Sequence, residues 1–511
     1  MKFFIVFPEE IFEEVHKFLL RDPSTEQFGY LFAGANTTDQ FVKLLVHTYM
    51  PACEKEDLEY QSTGGVCPSP KFQMRAYSIC KTQGHHLIDA HSHPFDYSDS
   101  VRFSSIDDRH EFGSGRQGVF GFTSRWNPGM YHASIVFGQN SLDARIYRSD
   151  EGRAIPIDEI QIVTSKLIIP TSARLQRSRL FHQKTETEIT LPSEESTVEK
   201  KTFDGGSFGN EDNLSLRYSR QILAFGKEEQ ETLAKTTVAV VGAGGLGSIV
   251  VETLARLGTK EIICVDDDTI EPSNISRILS STQEDAYQRR KKVDALGRYV
   301  KEINSDVKYI GIADSVLNPN VLATLKYADY IISGTDTYSS RLILNRISVQ
   351  YLIPYINLGF GMETDAEHKK LLSAGGKVIV FIPYNWCYQC LGEINQQELQ
   401  IELMSQEDRK MQITRGYISG VDIPNPSVLF LNMTVASLGI CEFLNLLVPF
   451  KNRDHYLFYD MLATKLWKMR AKKNPECPAC SPDAGILGRG DLLILEDIRD
   501  KDSKSNLPDN L

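Results

Sequence analysis

The sequence predicts an α/β protein with two main domains, the second a doubly wound parallel sheet. Its 511 residues exceed what one ordinary hydrophobic core organises, so two or three domains are expected. A polar segment at about residues 183–212 has the composition of a linker or, alternatively, of a surface hairpin. After it, apolar strands, glycine turns and helices alternate. We divide the chain into an N-terminal domain, a linker, a C-terminal domain and a tail at residues 1–165, 166–212, 213–480 and 481–511.

The N-terminal domain is predicted to mix helices and strands. It opens with a short apolar run followed at once by acidic residues, which favours a first strand and helix over a secretory signal. Residues 9–20 have the spacing of an amphipathic helix. Residues 29–34 and 41–50 have the composition of strands.

The C-terminal domain is predicted to follow the pattern of a parallel sheet. The segments TTVAVVGAG, KEIICVDDD, ADYIISGTD and PYINLGF are apolar strands that end in polar residues, and LGSIVVETLARLG is a helix. Residues 425–447 form a long apolar helix, which Asn432 and Glu442 interrupt.

Composition and charge exclude some classes of function. The hydrophobic fraction of 41% and the charged fraction of 24% are those of a globular protein. A net charge of -11 argues against a general nucleic-acid binder, which needs a concentrated basic surface. No uncharged apolar run reaches the roughly 18–20 residues that span a bilayer. We therefore expect a cytoplasmic protein.

The first group of chemical residues begins within the sequence HLIDAHSHP, at residues 86–94. His91 and His93 point to the same side of a strand end, and Asp107 follows at a helix start within Ser104-x-x-Asp107. Two imidazoles and a carboxylate leave a fourth position for water, which is the ligand set of a catalytic zinc. Such a zinc makes hydroxide available near pH 7, but a general base must still move the proton. Glu26, just before a predicted strand, is the candidate base.

These residues resemble the JAMM (Mov34/MPN) metallopeptidase family. Its pattern is a glutamate before a glycine-containing strand, then H-[ST]-H-P and S-x-x-D, and the match covers about the first 165 residues. The resemblance implies that His91, His93 and Asp107 ligate the catalytic zinc. It implies that Glu26 is the acid and base and that Ser104 stabilises the oxyanion. The family cleaves isopeptide or peptide bonds after the C-terminal glycine of ubiquitin-like proteins.

One departure from that pattern leaves two assignments open. Thirteen residues lie between His93 and Asp107, where the family usually has ten. A loop can absorb the three extra residues, but Asp108, within Ser105-x-x-Asp108, is then a rival ligand. Histidines without a metal are the alternative for the whole group.

The second group of chemical residues starts at the sequence VVGAGGLGS. Glycines between a strand and a helix let the backbone approach a phosphate, and the helix N-terminus favours the anion. Asp266 ends the next strand and is placed for ribose hydroxyls. An NAD-dependent dehydrogenase would fit this far.

Further polar residues separate the two possibilities. They are several cations, a metal-binding acid and an amide, a set that suits a triphosphate and a pyrophosphate leaving group rather than hydride transfer. The residues are Arg220, Asn274, Arg277, Lys292 and Asp336.

The set resembles the ThiF/MoeB family, the adenylating fold of ubiquitin-activating enzymes. Five motifs occur in order over roughly residues 213–480: RYxRQ, GxGGLGS, D-x-D-x(5)-N-x-x-R, a lysine, and TD before a helix. Two extra residues precede Lys292, and Lys291 is adjacent to it.

The resemblance implies a role for each matched residue. It implies that Gly242, Gly244 and Gly245 form the phosphate loop and that Asp266 holds the ribose. It implies that Asn274, Arg277 and Lys292 hold phosphates and that Asp336 binds magnesium. It also implies a homodimer, in which Arg220 reaches the phosphates of the neighbouring protomer.

The nine cysteines include two CxxC pairs. Cys387/Cys390 and Cys477/Cys480 have the pattern of a closed structural zinc site, which ThiF/MoeB-type proteins commonly carry. A redox CxxC is the alternative.

Many activating enzymes also use a nucleophilic cysteine, and no cysteine lies between Cys390 and Cys441. We expect Cys264 and Cys441 to be buried in a strand and a helix, and no stable thioester to form on this chain.

The fusion predicts one chain that acts twice on the same glycine-terminated tail. One site would mature or deconjugate a ubiquitin-like protein with zinc, and the other would activate its C-terminus with ATP and magnesium. The expected partners are that carrier and a conjugating enzyme. Activation of a sulfur carrier in cofactor or cysteine synthesis is the second enzymatic hypothesis, and a catalytically inactive scaffold is the third.

Overall fold

The computed structural model describes most of the chain. The described residues are 1–53, 55–113, 118–164, 166–182, 216–365, 370–414, 426–482 and 485–495. Within them the strands form a nine-stranded sheet, an eight-stranded sheet and a separate two-stranded hairpin.

The N-terminal domain alternates strands and helices from its first residues. Its strands β1 to β11 are Lys2–Phe7, Phe28–Thr37, Phe41–Pro51, Leu58–Ser62, Gly65–Pro68, His86–Ser92, His132–Phe137, Leu142–Arg148, Arg153–Pro156, Glu159–Ile162 and Lys166–Ile168. Its helices α1 to α5 are Glu9–Leu19, Pro70–Gln83, Ser105–Phe112, Val119–Trp126 and Thr171–His182, and Lys55–Asp57 is a 3-10 turn.

Strand β2 lies near the centre of the nine-stranded sheet, whose order is β11-β10-β1-β3-β2-β6-β7-β8-β9. Its side chains alternate between two cores, as the twofold period of a strand requires. Leu31 and Ala33 pack with residues of α1, whereas Tyr30 and Phe32 pack with residues of α2. The three predicted elements of this region are thus confirmed, and helices cover both faces of the sheet.

The predicted boundary at residue 165 falls inside this domain. Strand β11 pairs with β10 in antiparallel register, and α5 packs beside β8. The backbone N–H of Ser172 donates to Asp143 Oδ1 at 3.0 Å. The linker predicted from residue 166 therefore begins no earlier than 183, because residues 166–182 belong to the first fold; residues 183–215 lie outside the described part.

The C-terminal domain begins at residue 216 of the described chain. Its strands β12 to β19 are Thr237–Val241, Glu261–Val265, Lys308–Ile312, Tyr330–Ser333, Tyr355–Thr364, Leu371–Phe381, Tyr456–Asp460 and Lys465–Lys468. Its helices α6 to α16 are Ser219–Phe225, Lys227–Leu233, Gly245–Leu257, Gln283–Tyr287, Lys292–Ile303, Pro319–Leu325, Tyr338–Tyr351, Tyr388–Leu391, Gln396–Leu403, Gln406–Thr414 and Leu429–Leu447, and Pro272–Asn274 is a 3-10 turn.

The second sheet confirms the predicted doubly wound topology. Strands β14, β13, β12, β15 and β16 are neighbours in that order and run parallel, and β17 to β19 continue the sheet antiparallel. The order reverses at β12, whose two neighbours leave a crevice at their carboxyl ends. In open α/β sheets ligands bind at such a switch point.

Helix α16 is long and apolar enough to cross a membrane, and it is the one such helix among the described residues. However, 56% of its apolar stretch is buried inside the protein. Its neighbours are α8, β16 and β17. The helix therefore belongs to the hydrophobic core of the C-terminal domain.

The predicted tail is folded between the two domains where it is described. The backbone N–H of Gly34, on β2, donates to the Gly488 carbonyl at 3.1 Å. The backbone N–H of Gly490 donates to the carbonyl of Gln350, on α12, at 2.9 Å. We call residues 485–495 the strap, since they join the end of β2 to the end of α12.

One carboxylate of the strap collects contacts from both domains. Asp491 Oδ2 accepts from the backbone N–H of Thr37 at 2.7 Å. Its Oδ1 accepts from Lys326 Nζ at 3.0 Å and from the Tyr351 hydroxyl at 2.9 Å. The sequence did not predict these contacts, because the partners of Asp491 are distant from it in the chain.

Gly34→Ala is expected to destabilise the docked strap. A Cβ at this position would lie 2.2 Å from the Gly488 carbonyl oxygen, and backbone atoms cannot yield as a flexible side chain does. Overpacking of this kind costs about 1–3 kcal/mol. Calorimetry should show a lower transition temperature, and limited proteolysis should cut the strap faster. Gly64→Ala is the matched control, because its Cβ would meet no atom within 4 Å; equal behaviour of the two variants would refute the prediction.

Candidate active sites

Two histidines and one aspartate meet at the carboxyl end of β6. His91 lies near the end of the strand, and His93 follows it. His91 Nε2 is 3.2 Å from Asp107 Oδ1, and His93 Nε2 is 3.5 Å from Asp107 Oδ2. One ligand atom from each residue lies within 4.8 Å of the other two. The structure brings together the three residues that the sequence assigned to a metal.

The first turn of α3 explains why Asp107 faces the histidines. Ser104 Oγ accepts from the backbone N–H groups of Ile106 and Asp107 at 3.2 and 3.3 Å. Asp107 Oδ2 accepts in return from the Ser104 N–H, which completes a capping box. Asp108 instead accepts from Arg145 Nη1 at 2.7 Å and is exposed. The rival ligand therefore stays outside the group.

The three residues have the chemistry of a zinc site. His91 Nε2 is buried and lies 3.2 Å from Asp107 Oδ1 without forming a well-directed hydrogen bond. Burial opposes ionisation of Asp107, but the two imidazoles and the Ser104 N–H hold the pKa of its carboxyl well below the usual range. Two imidazoles and an ionised carboxylate fit the donor set of a catalytic zinc.

Glu26 lies beside this group and is buried. Its Oε1 atom is 3.8 Å from His93 Nε2, and the side chain is shielded from solvent. Burial raises the pKa of Glu26 to about 7, against the opposing effect of the two histidines. A carboxyl with a pKa near 7 can accept and return a proton at neutral pH.

The β4–β5 hairpin holds Glu26 in place, and sequence reasoning did not find it. The backbone N–H of Glu26 donates to the Ser62 carbonyl at 3.0 Å, and Gln61 Nε2 donates to the Glu26 carbonyl at 2.8 Å. The hairpin residues are polar and partly exposed, so no apolar pattern indicated a role near the metal group.

A buried polar pair next to the group was also missed. His132 Nε2 lies 2.9 Å from Asp89 Oδ1, and its Nδ1 lies 2.8 Å from the Thr123 hydroxyl. A cavity of about 120 Å³, lined among others by Asp89, His91 and Asp107, separates this pair from the metal group. The alternation of Asp89 with His91 along one strand was the only available signal.

The glycine loop after β12 is shaped by two close backbone approaches. Gly242 has φ of 92°, in the left-handed region that favours glycine. A Cβ on Gly247 would lie 1.7 Å from the Gly242 carbonyl oxygen. The sequence assigned the loop to Gly242, Gly244 and Gly245; the structure shows that Gly247 is needed as well, because α8 starts against the turn.

The carboxylate of Asp266 binds the glycine loop itself. Its Oδ2 accepts from the Ala243 N–H at 2.6 Å, and its Oδ1 accepts from the Asp268 N–H at 2.9 Å. Burial raises its pKa, opposed by Lys292, whose Nζ lies 3.7 Å away. Lys292 Nζ is also 2.6 Å from Asp268 Oδ2, whereas Lys291 Nζ donates to a backbone carbonyl. Lys292 is therefore the lysine beside the loop.

Asn274 and Arg277 belong to the turn that faces the start of α8. Asn274 is buried, and its Oδ1 accepts from the Glu271 N–H at 3.2 Å, so the amide also caps the 3-10 turn. The Arg277 carbonyl lies 3.5 Å from the position of a Cβ on Gly245. The backbone of Arg277 thus lies next to the glycine loop.

Asp336 reaches the same edge of the sheet from β15. It precedes Thr337, the N-cap of α12, and is exposed. The Gly334 backbone lies 3.2 Å from the position of a Cβ on Gly242, so the two strand ends are adjacent. Glu402 accepts from the first N–H groups of α12 at 3.0 and 2.7 Å and fastens the helix start.

Arg220 is not joined to these residues by the contacts of the described chain. It lies on α6 and is exposed, while Tyr218 of the same motif is buried against Gly258. A contribution to a neighbouring protomer stays a prediction.

The four paired cysteines converge in the C-terminal domain. The Sγ atoms of Cys387 and Cys477 are 3.6 Å apart, and those of Cys390 and Cys480 are 3.4 Å apart. Tetrahedral zinc with Zn–S distances of about 2.3 Å places its sulfurs about 3.8 Å apart. The group could therefore hold a metal ion.

The two remaining cysteines of this domain behave differently. Cys264 is buried as expected, and burial raises the pKa of its thiol to about 12. Cys441 is exposed on α16, so the expectation that it packs in the core is wrong. Because most residues of this helix are apolar, the sequence did not indicate which side of the helix faces solvent.

Comparison with known proteins matches the C-terminal domain. A model of the ThiF family matches residues 218–479, just over half of the chain, and leaves the N-terminal sheet outside.

Individual proteins give partial matches. The SAMP-activating enzyme E1 of Haloferax volcanii is 26% identical over 286 residues, 55% of this chain and 92% of that enzyme. The sulfur carrier protein ThiS adenylyltransferase of Bacillus subtilis is 33% identical over 145 residues, 28% of this chain and 43% of that protein. The crystal structure of Escherichia coli MccB with ATP is 22% identical with a TM-score of 0.41, over 52% of this chain and 74% of that one.

Glu26→Gln is expected to change how stability depends on pH in the metal-free chain. Because the folded-state pKa is about 7 and the ordinary value is 4.5, the folded chain keeps a proton that the unfolded chain releases between these values. The contribution of the Glu26 proton to the free energy of unfolding is therefore fully present below about pH 4.5. It is lost as pH rises through about 7 and does not change further above that pH. The side chain of the variant cannot ionise. In urea denaturation, its free energy of unfolding should therefore rise relative to that of the wild type as pH increases from about 4.5 to about 7.

The exposed Glu13→Gln variant is the control and should follow the wild-type pH dependence. Parallel curves for wild type and Glu26→Gln would contradict the assigned pKa.

Proposed function

Since the chain belongs to the ThiF family, we propose that its C-terminal domain adenylates the C-terminal glycine of a small ubiquitin-like protein. The observation that supports this most is the meeting of the glycine loop, Lys292 and Asp336 at the crevice beside β12. The names of the archaeal and bacterial relatives point to carrier proteins as the class of substrate.

Each residue of this edge has a task in the reaction. The glycine loop and the N-terminus of α8 hold phosphates, since unpaired N–H groups there favour anions. Arg277 and Lys292 neutralise charge that grows on the phosphates, and Asn274 orients them. Asp336 would hold magnesium, which would offset the charge of the phosphates.

The carrier's carboxylate attacks the α-phosphorus of ATP. A bond forms from a carboxylate oxygen to that phosphorus, the bond to the bridging oxygen breaks, and pyrophosphate leaves in line with the attack. Asp266 acts through the loop: it accepts from the Ala243 N–H and so fixes the phosphate-binding turn. The resemblance-based ribose role is compatible with this, because a carboxylate oxygen has more than one lone pair.

We further propose that the N-terminal domain is a zinc (iso)peptidase acting on the same carrier. The arrangement of His91, His93 and Asp107 beside the buried Glu26 supports it. When bound, zinc would acidify a water to a pKa near 7 and polarise the scissile carbonyl.

The chain's own groups then move the proton. Glu26 accepts the proton of the attacking water and returns it to the leaving amine. Ser104 Oγ accepts two backbone hydrogen bonds, so its hydroxyl hydrogen is available to donate to the oxyanion. Burial of Glu26 excludes water from the path of the transferred proton.

We propose that the two activities serve one glycine-terminated tail in the cytoplasm, where thiolates stay reduced. A homodimer, completed by Arg220 of the second copy, and a conjugating enzyme that accepts the activated carrier belong to the same proposal. The alternative is sulfur-carrier activation in cofactor or cysteine synthesis, favoured by the match to a ThiS adenylyltransferase.

Two variants should separate the activities. Mass spectrometry of a carrier incubated with ATP and the chain should show an adenylate with the wild type and with His93→Ala. Asp336→Ala should reduce that product by about 100-fold or more, and Asp306→Ala, which removes an exposed acid elsewhere, should not.

Removal of a C-terminal extension from the carrier should show the reverse dependence. It should persist in Asp336→Ala and disappear in His93→Ala. A reducible adduct between carrier and chain that is lost on replacing exposed Cys441 would overturn the expectation that no thioester forms here.

Cys477→Ser is expected to release a structural zinc and to lower the unfolding temperature of the C-terminal domain. Loss of one thiolate opens a closed site whose binding energy contributes to folding. Metal analysis should find about one zinc fewer per chain, while exposed Cys53→Ser keeps the wild-type content. Unchanged zinc content in Cys477→Ser would exclude this site.

A further inference from the structure

The loop that lengthens the spacing between His93 and Asp107 has a defined structure. We call residues 95–102 the insertion loop. The backbone N–H of Asp96 donates to the His93 carbonyl at 3.0 Å, and the Asp96 carbonyl accepts from the Gln139 N–H at 2.8 Å. The loop is therefore fastened to the metal group at its first turn.

The β7–β8 turn fastens the rest of the loop. Asn140 Nδ2 donates to the Tyr97 carbonyl at 2.7 Å. Ser141 Oγ donates to the Ser98 carbonyl and accepts from the Val101 N–H, each at 2.9 Å. Val101 is fully buried. These contacts fix a loop that the three extra residues alone would leave undetermined.

The loop presents two aromatic side chains beside the metal group. The Phe95 ring lies parallel to the His93 ring, with centroids 5.9 Å apart and an interplanar angle of 13°. Phe95 is 47% exposed and Tyr97 is 65% exposed. Large apolar side chains that remain exposed at a reaction centre are available to contact a substrate.

The position of Glu26 tells which side of the scissile bond these rings face. Glu26 returns its proton to the leaving amine, so the amine side lies near it. Its carboxylate is next to His93, on which Phe95 stacks. Tyr60, the exposed aromatic of the β4–β5 hairpin, instead lines the cavity beside His91.

We propose that Phe95 and Tyr97 determine specificity by binding a large apolar side chain on the amine side of the scissile bond. This rests on the proposed peptidase activity and narrows its substrate class. It favours a linear peptide bond, with an aromatic or large aliphatic residue after the terminal glycine, over a lysine isopeptide.

Binding can be measured without turnover. The probes are fluorescent peptides ending in Gly-Gly-X, with X as Phe, Ala or Asp, and a Gly-Gly isopeptide on lysine. The protein is the full chain loaded with zinc and carrying Glu26→Gln, which blocks proton transfer. Fluorescence anisotropy should show the Phe peptide bound about 10-fold or more tighter than the Ala and Asp peptides, the range for one apolar contact in a pocket.

Phe95→Ala and Tyr97→Ala, each in that background, should reduce this preference towards unity. Tyr60→Ala is the matched control, since it removes a similarly exposed aromatic that lies outside the insertion loop, and the preference should persist. Equal binding of all four probes, or equally tight binding of the isopeptide, overturns the proposal.

Cleavage by the chain with Glu26 intact distinguishes this proposal from the peptidase activity itself. Cleavage of the probes without a preference for Phe would refute the role of the insertion loop in specificity. It would still support the proposed peptidase activity. A Phe preference in binding that depends on Phe95, without cleavage of any probe, supports the loop and refutes the peptidase.

Discussion

The docking of the strap between β2 and α12 sets the arrangement of everything else. Gly34 approaches the Gly488 carbonyl so closely that no side chain fits at Gly34, and a Cβ on Gly488 would lie 2.9 Å from His47 Cβ. Asp491 adds a carboxylate that accepts from both domains. The strap thus joins the two domains together with direct pairs between them, such as Lys43 with Asp329 and Arg453 with Glu9.

Each reactive group lies far from the strap. Strand β2 starts beside Glu26 and ends at the strap, and ten residues of strand span about 30 Å. Helix α12 starts beside Asp336 and ends at the strap, and fourteen residues of helix span about 20 Å.

Burial affects the carboxylates of the two sites in different ways. At the N-terminal site it raises the pKa of Glu26 towards neutrality while the imidazoles keep Asp107 ionised. Two carboxylates a few ångströms apart thus have opposite protonation tendencies, which suits one to proton transfer and the other to a metal. At the C-terminal site Asp266 is half-buried beside Lys292 and accepts from a backbone N–H, so its carboxylate supports the glycine loop.

The sequence by itself determined the doubly wound sheet, the two chemical groups and the four-cysteine cluster, because these depend on local patterns: strand and helix periodicity, glycine turns and short ligand spacings. Only the tertiary structure decided between Asp107 and Asp108, since the capping box of α3 selects the aspartate that faces the histidines. It also decided the need for Gly247, the exposure of Cys441, the fold of residues 166–182 and the docking of the strap. Each of these depends on atoms that are distant in the chain and adjacent in space, which is information that composition and spacing do not carry.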